Sequence, residues 1–128
     1  MASPSSAASG ELNPFGFEHV NPSSLHLLHI QDHVPITLDL HTPSFSTWRT
    51  YFSLTFREFG IRDHVDGTVD DLAMLGDNQW LSVDATIVKW LYRTVSREIL
   101  LQVIRDNDTA LGAWTSICQL FLDNQLQR

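Results

Sequence analysis

The chain has 128 residues, 43% of them hydrophobic and 10% aromatic, which supplies enough apolar side chain for one domain with a packed core. Fifteen Asp and Glu against eight Lys and Arg leave a formal charge of −7. That balance disfavours direct contact with a nucleic-acid backbone or an anionic membrane surface, since both rely on clustered cations.

The first stretch, Met1 to Asn13, is rich in Ser, Ala, Pro and Gly and lacks the basic and apolar regions of a secretory signal. It cannot bury enough apolar surface to offset its ordering entropy. Residues 1–30 are therefore expected to form a disordered or loosely docked arm, with at most a short turn of helix around Leu25, Leu27, Leu28 and Ile30. The folded domain is expected over residues 31–128.

Val34 to Leu40 alternates Ile36, Leu38 and Leu40 with polar residues, the period of an extended segment with one buried face. Pro35 and Pro43 keep it short. From Phe45 the period lengthens. Phe45, Trp48, Phe52, Phe56 and Phe59 recur at helical steps, predicting a helix over Phe45–Phe59 that Ser44 or Ser46 caps and Gly60 stops. Ile61 to Gly76 reads as a polar, acidic connection with a turn at Asp66-Gly67-Thr68.

A second helix, Asn78–Val95, is opened by Asp77 or Asn78 and carries the stripe Trp80, Val83, Ile87, Trp90 and Leu91. Ser96 caps a third, Arg97–Arg105. Asn107-Asp108-Thr109 opens a fourth, Thr109–Gln125, striped by Leu111, Trp114, Ile117, Cys118, Phe121 and Leu122, and weakened slightly by Gly112. The expected fold is all-α: a small bundle of about four helices, preceded by a short extended segment and the arm. Its core is expected to hold Trp48, Phe52, Phe56, Trp80, Ile87, Trp90, Leu91, Trp114, Cys118 and Phe121, with Trp48, Trp90 and Trp114 buried together.

Groups that carry chemistry are sparse. His26, His29 and His33 would share one face of a continuous helix, yet a zinc site of this type needs further Cys or carboxylate ligands. Asp63, Asp66, Asp70 and Asp71 sit among Arg62, His64, Thr68 and Asp77, the composition of a solvated loop and not of a pocket that separates two carboxyl pKa values. Cys118 falls between Trp114 and Phe121, where a thiol acts as a small hydrophobe, and it cannot form an internal disulfide. No phosphate loop, nucleophile elbow, dinucleotide fingerprint or C-x-x-C is present. The expectation is a non-enzymatic protein with no catalytic, metal or cofactor-binding residues and no cofactor, in the cytoplasm or nucleus and not secreted.

An ordered set of landmarks runs through the chain. It begins with Val34-Pro35-Ile36-Thr37-Leu38-Asp39-Leu40, Phe45-Ser46-Thr47-Trp48-Arg49-Thr50-Tyr51-Phe52 and Phe59-Gly60-Ile61-Arg62-Asp63-His64-Val65-Asp66-Gly67-Thr68. Trp80, Asp84, Ile87, Trp90-Leu91, Val95-Ser96, Ile99 and Val103 follow, and Thr109-Ala110-Leu111-Gly112-Ala113-Trp114 closes it with Leu120-Phe121. Over roughly Ile30 to Arg128 these landmarks resemble the N-terminal, capsid-like part of the gag polyprotein of plant copia-type LTR retrotransposons.

The resemblance implies a helical domain that self-associates into a particle around element RNA. Its partners would be itself or other gag-like proteins, with no membrane. Such proteins commonly continue into further capsid helices and a zinc knuckle. With Cys118 as its sole cysteine this chain carries no knuckle, so element RNA would be reached only indirectly. A fragment of gag, or a remnant retained by the host, is the form expected. The surface expected to self-associate is the outer part of the last helix, Leu120, Leu122 and Leu126. The alternative is a host adaptor that pairs the Val34–Leu40 edge with a partner's extended peptide.

Overall fold

The computed structural model describes residues 22–123, so the Met1–Asn13 stretch and Leu126 lie outside the described residues. The fold is a small helical bundle; among the described residues there are six helices and no strand. In chain order these are α1 (Pro22–His26), α2 (Ile30–His33), α3 (Phe45–Glu58), α4 (Asn78–Arg93), α5 (Arg97–Val103) and α6 (Ala110–Asp123). Two 3-10 turns, Arg62–His64 and Asp71–Met74, occupy the connection between α3 and α4.

Local signals set the end of α3 and the starts of α4 and α5. Gly60 takes φ +67° behind α3. Its N–H bonds the carbonyl of Arg57, and the Ile61 N–H bonds that of Phe56. This is a Schellman closure, and the buried Ile61 and Phe56 supply its hydrophobic contact. Asp77 caps α4 through the Trp80 N–H at 3.0 Å, and Ser96 caps α5 through Ile99 at 3.3 Å. Ser44 holds the cap position of α3, but its hydroxyl accepts the Asp39 N–H at 3.3 Å and makes no cap bond.

Helices α4 and α5 end earlier than the expected Asn78–Val95 and Arg97–Arg105. At α4 the Thr94 hydroxyl bonds back to Trp90 at 3.0 Å, and the chain leaves the helix to meet Leu38. At α5, Ile104 already has extended dihedrals.

The arm ends earlier than expected. Leu25 and Ile30 are fully buried, and Leu28 packs against the core. This happens because α1 lies on α4, which offers those side chains an apolar surface that no local pattern reveals. The extended segment behaves as its alternation predicts: Leu38 is buried, while Ile36 and Leu40 lean on the core. Leu38 forms an isolated parallel bridge with Val95. Its N–H donates to Thr94 and its carbonyl accepts from Ser96, at 2.8 and 2.7 Å.

The core joins Trp48, Phe52 and Phe56 of α3 to Val83, Ile87, Trp90 and Leu91 of α4, with Ile99 and Val103 of α5 and Ile117 and Phe121 of α6. Trp114 is half-buried: it stacks on Trp48 with ring centroids 5.5 Å apart and meets Phe56 edge-on at 5.3 Å. Cys118 is buried. Trp80 departs from its expected place. It lies half-buried outside the main cluster and stacks flat over His64, with centroids 3.5 Å apart.

Candidate functional site

The outer face of α6 is the surface that the sequence nominates, and the structure divides its three leucines. Leu120 is half-buried and packs against the core, whereas Leu122 is 51% exposed. Leu126 lies outside the described residues. The division follows from helical spacing: Ile117 and Phe121 point into the bundle, so the residue after Phe121 turns away from it.

Beside α3 opens a groove of about 640 Å³. Leu54, Val65 and the half-buried Trp114 give it apolar walls, and Arg49, Arg57 and Arg62 reach it from α3 and the first 3-10 turn. One carboxylate, Asp66, also lines it. The Asp66 carboxylate accepts the Thr68 N–H at 3.0 Å, and its hydrogen bond to the Thr68 hydroxyl is the largest of the causes that hold its pKa below 3.8. Three guanidiniums against one carboxylate make this groove locally positive on a chain of charge −7.

His64 and Asp84 form an arrangement that sequence reasoning missed. The connection was expected to be solvated, yet His64 is buried, as is Asp84 on α4. His64 Nδ1 lies 2.8 Å from Asp84 Oδ1. The other carboxylate oxygen accepts the backbone N–H of Ala110, the first residue of α6, at 2.9 Å. One side chain thus pairs a buried imidazole and satisfies a helix-terminal donor, where a carboxylate is favoured by the helix dipole. The signal was present in the sequence. Asp84 interrupts an otherwise apolar stripe between Val83 and Ile87, and a buried carboxylate requires partners.

The remaining candidates occupy separate places. His26 and His33 fall on different short helices, because the chain breaks at residues 27–29. His26 and His29 border a second groove of about 500 Å³ with Lys89 and Arg93, and no carboxylate lines it. His33 instead faces Glu58, at 3.9 Å, and the edge of Phe59. Among the described residues no three His, Cys, Asp or Glu converge as a metal-binding group. Burial pushes the Cys118 thiol up to about 11, which removes its nucleophilic form at neutral pH. Among those residues, no helix is long and apolar enough to cross a membrane.

Comparison with family models, curated proteins and solved structures gave no match.

Proposed function

We propose that the chain is a non-enzymatic structural module of gag type that works by self-association, with the α6 outer face as one contact. The observation that carries this is Leu122, a large apolar side chain 51% exposed on a helix whose Ile117, Leu120 and Phe121 pack against the core. Apolar side chains left on a surface favour association when a complementary surface is offered.

The landmarks shared with copia-type gag support the reading through what they do in this fold. Asp84 caps α6, Gly67 takes φ +78° in its turn, and Trp48 and Trp114 stack. These are structural tasks, as expected of residues that preserve a scaffold. The peptide-adaptor alternative draws less support, because the Leu38 N–H and carbonyl are both directed to the α4–α5 junction. Direct RNA binding draws little from a chain with eight basic residues against fifteen acidic ones.

Molar mass measured against concentration and salt tests the proposal. Apolar association through α6 should persist in about 1 M salt, where screening shortens the Debye length to roughly 3 Å, whereas phosphate binding should collapse there. Under those conditions Leu122→Glu together with Leu126→Glu should return the chain to monomer without unfolding it. A chain that is monomeric at every concentration, and binds RNA with a steep salt slope, would refute the proposal.

A further inference from the structure

We infer that a second copy of this chain docks its Asp70–Asp77 segment into the arginine-lined groove beside α3, giving a head-to-tail contact separate from the α6 face. The inference rests on the self-association proposed above and names a second pair of surfaces for it.

The groove asks for an occupant with two properties. Arg49, Arg57 and Arg62 call for carboxylates, while Leu54, Val65 and the open side of Trp114 call for apolar side chains. Guanidiniums are well suited to such a place, being weakly hydrated and able to hold carboxylates in paired hydrogen bonds. The connection before α4 presents both properties in eight residues, Asp70-Asp71-Leu72-Ala73-Met74-Leu75-Gly76-Asp77. Its two leucines are among the most exposed large apolar side chains of the described residues, Leu72 at 75% and Leu75 at 65%. The segment is also pre-shaped. Asp70 accepts the Leu72 N–H and Asp77 the Trp80 N–H, both at 3.0 Å, around the 3-10 turn Asp71–Met74. Docking it would therefore order little new backbone.

Charge and apolar character match between two different surfaces of one chain. Such a contact is heterologous, so each docked copy leaves one groove and one acidic segment unsatisfied, and growth continues into a ring or filament. The α6 contact does not share this property if it pairs like with like. Together the two contacts would extend an assembly in more than one direction.

The test uses the full chain carrying Leu122→Glu with Leu126→Glu at low salt, so that the α6 contact is disabled and charge attraction is not screened. This background should still associate, and added salt should dissociate it. Arg49→Glu with Arg57→Glu reverses the charge of the groove, and Asp70→Arg with Asp71→Arg that of the segment; circular dichroism verifies the fold of each. Each variant alone should be a monomer. Mixed in equal amounts, they should associate again and grow, because the unmodified pair of surfaces and the charge-reversed pair are both complementary. All four reversals in one chain should restore growth.

Other results overturn the inference and separate it from the reading on which it rests. If the two variants associate as their background does, or if that background is already monomeric while the unmodified chain associates, the head-to-tail contact is wrong and self-association stands. If the unmodified chain never associates, both fall. If it stays monomeric but binds poly-glutamate through Arg49 and Arg57, the groove's occupant is a foreign acidic chain and the inference is again wrong.

Discussion

The indole N–H of Trp48 donates to the hydroxyl of Thr94 at 3.1 Å, inside the core and across 46 positions of sequence. Thr94 is a junction. Its hydroxyl also bonds the Trp90 carbonyl at 3.0 Å, and its own carbonyl receives the Leu38 N–H at 2.8 Å. Three elements, α3, the end of α4 and the extended segment, meet at this one residue. Thr94→Val keeps the shape but strands a buried indole donor, so it should cost about 2 kcal/mol in urea unfolding. Added to Trp48→Phe, it should cost less than the sum of the two single changes, because the first has already removed the bond. Trp48→Ala and Trp90→Ala should each cost roughly 3–5 kcal/mol, and Trp114→Ala less, since one side of that ring is open.

Asp84 carries more than its place on an apolar helix face announces. Asp84→Ala removes the partner of His64 and the acceptor of the Ala110 N–H, both buried. The expected loss is about 3 kcal/mol, with Asp84→Asn milder because it retains one acceptor. Thermal melts of the two variants give the order. Equal stability of Asp84→Ala and the parent would show the joint to be inert.

Gly112 tests a disagreement between propensity and packing. Alanine is the better helix former by roughly 1 kcal/mol in a helix interior. A methyl group here, however, would collide with Asp108 Oδ1 and sit 3.2 Å from Thr109 Oγ1. Those atoms belong to the residues that start α6: Asp108 accepts the Thr109 N–H and Thr109 accepts that of Gly112. Gly112→Ala should therefore destabilise by about 1 kcal/mol in place of the usual gain, and Asp108→Ala in the same chain should relieve most of it.

Cys118 links burial to pH. Its thiol is raised from 9.0 to about 11 by desolvation, a cause that Arg49 only partly opposes. Between those values the unfolded chain has released the proton and the folded chain still holds it, so stability falls as pH rises from about 9 to 11. The loss should approach roughly 2–3 kcal/mol above pH 11, and Cys118→Ala should flatten that limb in denaturant titrations at several pH values. Thiol reagents at pH 8 should modify the native protein far more slowly than the urea-unfolded chain.

The long helices were legible because their signals are local. The recurrence of Phe45, Trp48, Phe52 and Phe56, the caps at Asp77 and Ser96 and the stop at Gly60 all act within a few residues of themselves. The same holds for the alternation that buries Leu38. His64 was not legible. Its neighbours Asp63, Asp66 and Gly67 are those of a solvated loop, and its burial depends on Trp80 and Asp84, which arrive sixteen and twenty positions later.

By itself, then, the sequence determined the class of fold, the approximate helix spans, the acidic character of the chain and the inertness of Cys118, because composition and period act through short-range physics. Only the tertiary structure decided that Leu25 and Ile30 belong to the core, that Trp80 covers His64 and leaves the main cluster, and that Asp84 starts a helix 26 positions away. It also decided that Arg49, Arg57 and Arg62 line one groove although the chain is acidic. Each of these depends on which helix face meets which partner. Helix spacing states that a residue lies on a face, and packing alone states what that face touches.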